Sequence, residues 1–80
     1  MTIAYHDDLA VFTDVASVSD ADMLLEWAQA RTHRLVDLAA CTHLHAANLQ
    51  VLMAAQPDIV AWPNDQSFAH WLQRALQPDR

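Results

Sequence analysis

Glycine is missing from this chain of 80 residues, and that absence limits the folds and sites open to it. Glycine is the usual residue where a backbone turns tightly or comes close to a ligand. A phosphate-binding P-loop, a dinucleotide fingerprint and a nucleophile elbow each need it there, so all three are excluded. Lysine is absent as well. This removes Schiff-base chemistry and the usual phosphate-binding lysine.

Without glycine, punctuation falls to Asp, Asn and Pro. Thr2 to His6 and Leu9 to Thr13 are short, with β-branched and aromatic residues, and Asp7-Asp8 between them suits a two-residue hairpin turn. Ser19-Asp20-Ala21-Asp22 reads as a helix start, with Ser19 as cap and Asp22 as the capping acid. Met23, Leu24, Trp27 and Ala28 follow at helical spacing, which predicts a helix over about Asp20 to Thr32 with Glu26 facing away. Arg34 to Leu38 reads as a buried central strand, and Ala39 to Leu44 as the loop after it. Ala46 to Ala55 is rich in helix formers, with Leu49, Leu52 and Met53 as its buried stripe. Ile59 to Trp62 is a further strand. Asn64 or Asp65 then caps a third helix with the stripe Phe68, Trp71, Leu72 and Ala75. Pro57 and Pro63 separate elements, and Pro78 closes the fold. The expected architecture is one small α/β domain over residues 1–80. It has a mixed four-stranded sheet, about three helices mainly on one face, and the order β-β-α-β-α-β-α.

Hydrophobic residues make up 54% of the chain, ample for a core in a domain this small. The net charge is −6, from ten acids against four arginines. No basic stripe exists to neutralise phosphates, so nucleic acid and anionic membranes are poor partners, whereas a basic protein surface is attracted. The same acidity also serves plain solubility. Cys41 is the only cysteine, which rules out an internal disulfide. The start MTIAYHDD is neither basic nor followed by an apolar run, and no apolar run is long enough to span a bilayer. No export signal or membrane insertion is therefore expected, and the location expected is cytoplasmic.

The run from Leu35 to Ala55 resembles the central motif of the STAS domain, the family named for sulfate transporters and anti-sigma factor antagonists. That motif is a hydrophobic strand ending in Asp-Leu, a short loop with an apolar centre, then Asp, Ser or Thr, a small residue, Gly and Leu opening a helix. Asp37 matches the strand-end aspartate, Leu44 the apolar loop residue, and Leu49, Gln50 and Leu52 the helix face. The resemblance implies a non-catalytic adaptor that docks on a protein, such as a regulatory kinase or a transporter subunit. The implied surface comprises His43, His45, Ala46, Asn48, Leu49 and Gln50. Three departures alter the pattern: His45 stands at the acidic position, Ala46 at the phosphorylated hydroxyl, and Asn48 at the glycine. Phosphorylation at that site is therefore lost. Asn48 is the residue best suited to replace glycine at a left-handed position. The family's usual C-terminus is also longer than this one.

Other chemistry is weighed on the same residues. On an extended strand Cys41, His43 and His45 would share a face, and thiolate with imidazole makes a zinc site, with His6 or an acid as fourth ligand. The structural alternative is a buried thiol with loop or cap histidines. A Cys-His nucleophile would need an activating base and an oxyanion site, which the sequence does not display. Protonation of His43 and His45 would be a charge switch where phosphorylation is lost. Asp37 reads as an acceptor for loop amides rather than a general base. Trp27 and Trp71 read as core, and Trp62, ahead of Pro63, as partly exposed. The expectation is thus a protein-interaction module with no enzyme activity and no cofactor. A metal-responsive protein using Cys41, His43 and His45 is the first alternative, and a homo-oligomerisation module, such as a homodimer, is the second.

Overall fold

The structure, a computed structural model, describes residues 2–76. Pro78 lies outside the described residues. Four strands form one sheet in the order β1-β2-β3-β4, where β1 is Ile3–His6, β2 Leu9–Ala16, β3 Leu35–Leu44 and β4 Asp58–Ala61. Strands β1 and β2 are antiparallel, while β2, β3 and β4 run parallel to their neighbours. Helix α1 (Ala21–Gln29) links β2 to β3, α2 (Ala46–Ala55) links β3 to β4, and α3 (Gln66–Leu76) follows β4. The mixed sheet and the element order are those expected.

The turn between β1 and β2 has two residues, since His6 pairs with Leu9. Asp7 takes a left-handed backbone there, at φ 52°. One face of the sheet presents Ile3, Ala10, Phe12, Val36 and Leu38, which form a single buried cluster with Leu24, Trp27 and Ala28 of α1, Leu52 of α2 and Leu72 of α3. All three helices therefore pack on that face. Burying a side chain such as Phe12 or Leu38 stabilises the fold by roughly 1.5–3 kcal/mol.

Several boundaries depart from expectation. Strand β3 runs on through Ala39 to Leu44, where a loop was expected, and β2 continues past Thr13 to Ala16. The cause is irregular pairing. Val11 to Thr13 spans two steps on β2 against three from Asp37 to Ala40 on β3, and Asp14 to Val15 spans one against two from Cys41 to His43. Each extra residue breaks the alternation of two that marks a strand. Asp14 lies at the second break, at φ 55°.

Helix α1 starts at Ala21, next to the expected Asp20, and ends at Gln29, short of the expected Thr32, and its start is held by residues other than those expected. A 3₁₀ turn over Val18–Asp20 precedes the helix, and Asp20, not Asp22, is the acid that holds it. Its carboxylate accepts from the Ser17 amide (2.8 Å), the Ser17 hydroxyl (3.1 Å) and the Thr2 hydroxyl (2.7 Å). These hydrogen bonds, led by that from Thr2, hold the Asp20 carboxyl below its ordinary range. Ser17 thus takes the role expected of Ser19. Met23 and Met53, expected inside, are about half exposed at 51% and 49%. Helices α1 and α2 cover the sheet side by side, so only the stripes through Leu24 and Leu52 reach the core.

The candidate interaction surface at the strand ends

Strands β2 and β3 are parallel, so their carboxyl ends lie together and both following helices begin at that end of the sheet. His45 joins β3 to α2. Its amide donates to the Ala16 carbonyl (2.9 Å), which ties the end of β3 to the end of β2. Its imidazole Nδ1 accepts from the Ala47 amide (3.1 Å), so His45 caps the first turn of α2. A carboxylate in the same place would accept that bond and also suit the helix dipole.

The residues expected to form the partner surface divide into two groups. His43, His45, Ala46 and Gln50 are exposed, and Leu49 is half-buried. Asn48 is fully buried, against the expectation that it offers a polar contact to a partner. Its Nδ2 donates to the Ser17 carbonyl (2.7 Å), pinning α2 to the segment after β2. Nor is Asn48 at a left-handed position; it lies within α2 with helical neighbours on both sides. The left-handed positions are Asp7, Asp14 and Gln56 instead. An amide near a helix start reads from sequence as an exposed cap or turn residue, and only the proximity of Ser17, distant in the chain, reveals its clamp.

Two exposed valines adjoin this group. Val15 pairs with His43 across β2 and β3 and is 47% exposed, while Val18, in the 3₁₀ turn, is 59% exposed. Neither was expected to contribute. Val15 lies beyond the irregular pairing at Asp14, and Val18 lies between two serines, so neither falls on a readable apolar stripe. The surface is therefore apolar and neutral-polar: Val15, Val18 and Ala46 set beside His43, His45 and Gln50. Helix α2 itself has no charged residue. A patch of this kind suits protein contact, where charges are depleted at the centre.

The metal expectation does not survive the pairing of β3. Cys41 is buried, whereas His43 and His45 are exposed. The second break falls between Cys41 and His43 and turns them to different faces. The Cys41 thiol donates to the His43 carbonyl (3.5 Å), and burial pushes its pKa up, away from the thiolate a metal needs. Among the described residues no three His, Cys, Asp or Glu side chains gather as a metal site. Asp37 accepts from the Ala39 amide (2.9 Å), the role in backbone satisfaction expected of it.

The tryptophans also divide. Trp27 is buried and its indole donates to the Asp7 carbonyl (2.9 Å), holding the hairpin turn to α1. Trp71, expected in the core, is 54% exposed and lies beside Phe68, with ring centroids 6.4 Å apart. Along α3 only Leu72 is fully enclosed. Trp62 is half-buried, as expected of the residue before Pro63.

The chain matches no family model, and no curated protein matches it. Among the described residues no helix is long and apolar enough to cross a membrane.

Proposed function

We propose that the chain is a STAS-like protein-interaction module whose docking surface is the start of α2 with the adjoining ends of β2 and β3. The observation that carries this reading is an exposed patch free of Asp, Glu, Lys and Arg, on a chain of net charge −6, at the carboxyl ends of parallel strands. Val15, Val18 and Ala46 supply apolar contact, and His43, His45 and Gln50 supply hydrogen bonds. The net charge of −6 on the chain favours a basic partner. His45 stands where the STAS pattern has an acid and does the acid's capping work through Nδ1. Regulation through a hydroxyl at Ala46 is absent. A regulatory kinase or a transporter subunit is the partner class the resemblance implies, in partner switching or transport control.

Capture of partners from lysate of the source cell, read by mass spectrometry, tests this reading. The control is an Ala46→Glu/Gln50→Arg variant. The two positions are exposed and four residues apart, so the pair supports the helix while it replaces the neutral surface with charge. One protein enriched by the native chain and lost with the variant is the expected result. A set of captured proteins that does not change with the variant refutes the surface.

A further inference from the structure

The opposite face of the sheet carries a second unfilled requirement. Parallel strands in α/β proteins have both faces covered. Here β2, β3 and β4 are parallel, yet α1, α2 and α3 all join the one cluster on the Phe12 and Leu38 face. On the other face Leu9 pairs with Leu35, which pairs with Asp58, and Val11 pairs with Asp37 in the next row. None of these is fully buried, and Val60, at the irregularity of β4, is 55% exposed. The face is thus an apolar strip with Asp37 at its centre, Asp58 at one side and, across from Leu9 on β1, the exposed His6 at the other.

The charges say what kind of surface fits it. No strand carries an arginine or lysine. Arg34 is turned away, donating to the Ala28 and Ala55 carbonyls at the ends of α1 and α2. Arg31 reaches Asp8 at 4.0 Å, the one ion pair among the described residues. Arg74 lies on α3, on the covered side. Asp37 keeps one hydrogen bond, from the Ala39 amide, and faces no cation of the described chain. A second copy placed on this face would set Asp37 and Asp58 against the same acids, between two chains of charge −6 each. A partner with a cation amid apolar side chains meets both features at once.

We propose that the open sheet face is a second docking surface, separate from the start of α2, and that it takes an amphipathic helical segment of another protein whose arginine or lysine meets Asp37. The apolar rows supply contact area, and the carboxylate fixes the orientation of the segment.

The test titrates the full chain, labelled with ¹⁵N, with a synthetic helical peptide of about 18 residues, five turns long. The peptide has a leucine stripe flanked by arginines, and a control peptide carries glutamates in their place. The expected result is amide shifts at Leu9, Val11, Leu35, Asp37 and Val60 with the arginine peptide only. Asp37→Asn keeps an acceptor for the Ala39 amide, so the strand stays intact while affinity falls about tenfold, the loss expected of a partly desolvated ion pair. Val60→Lys abolishes the shifts. Equal binding of both peptides overturns the proposal, as do shifts confined to the helices, no shifts, or a dimer formed through this face by the chain alone. These readouts do not involve Ala46 or Gln50, so they separate this surface from the one at the start of α2.

Discussion

Three residues occupy left-handed backbone that most chains give to glycine: Asp7, Asp14 and Gln56. Gln56 ends α2 at φ 52°, and its amide donates to the Leu52 carbonyl (2.9 Å). A side chain with a Cβ costs about 1 kcal/mol or more in this conformation. Gln56→Gly should therefore stabilise the protein by about 0.5–1 kcal/mol, read as a raised midpoint in urea unfolding. Asp7 was legible as a turn residue, because two aspartates stand between two β-rich runs. Gln56 was not, because a glutamine before Pro57 carries no local signal for left-handed backbone. Tyr5 shows a different residue-scale tension. Its hydroxyl is buried without a hydrogen-bond partner, and its pKa is pushed up to about 12, by burial first and then by the charge of Asp20. A folded pKa above the unfolded value of 10.0 means that this stability is whole below pH 10 and is lost as pH rises toward 12. Tyr5→Phe should fold at least as well as the native chain at neutral pH and lose less stability between pH 10 and 12. Equal alkaline losses in the two proteins would refute the assignment. Asp20 works in the opposite sense. Its folded pKa is lowered, so its contribution is present above the unfolded value of 3.8 and is lost as pH falls below it. Asp20→Asn should flatten that acid limb, measured by thermal unfolding across pH 2 to 5.

At the scale of elements, helix ends carry much of the specification. Asp65 caps α3 by accepting from the Phe68 amide (2.9 Å), one of the two caps expected. Arg34 serves two helices at once, donating to the Ala28 carbonyl (2.5 Å) and the Ala55 carbonyl (3.2 Å) at their C-terminal ends. A cation there satisfies unpaired carbonyls and complements both dipoles. Arg34→Ala should destabilise by about 1–3 kcal/mol, the cost of leaving part-buried carbonyls without a charged donor. A loss under a few tenths would show that water replaces the guanidinium. From sequence Arg34 read only as the start of a strand, because the carbonyls it holds belong to residues six and twenty-one positions away. Helix α2 has the opposite character: it was legible from its helix formers, and so was its length. Its cap is the weak point, since an imidazole can accept only while Nδ1 is unprotonated. His45→Asp should stabilise the fold by about 0.5–1 kcal/mol at pH 7 through a better cap and a favourable dipole contact. Strand β3 was half legible. Leu35 to Leu38 reads as a strand because it is mostly apolar, while Ala39 to Leu44 hides because two irregularities remove its alternation.

For the molecule as a whole, the element order was legible because the first β-rich run meets a two-aspartate turn and a second strand, and each later strand is followed by a helical stripe. That order and the parallel pairing bring His43, His45, Ala46 and Gln50 to one end of the sheet beside Val15 and Val18. The division of that end into a buried clamp at Asn48 and an exposed rim depends on contacts between segments far apart in sequence, so no local pattern announces it. The same topology leaves the Asp37 face open on the other side. A photoreactive amino acid placed in living cells at Gln50, or at Gln73 on α3 for comparison, tests the central claim most directly. Both positions are exposed, and they lie on different helices. The account predicts a discrete crosslinked protein from Gln50 and none from Gln73. A crosslink from Gln73 alone, or none from either site, would contradict a docking surface at the start of α2.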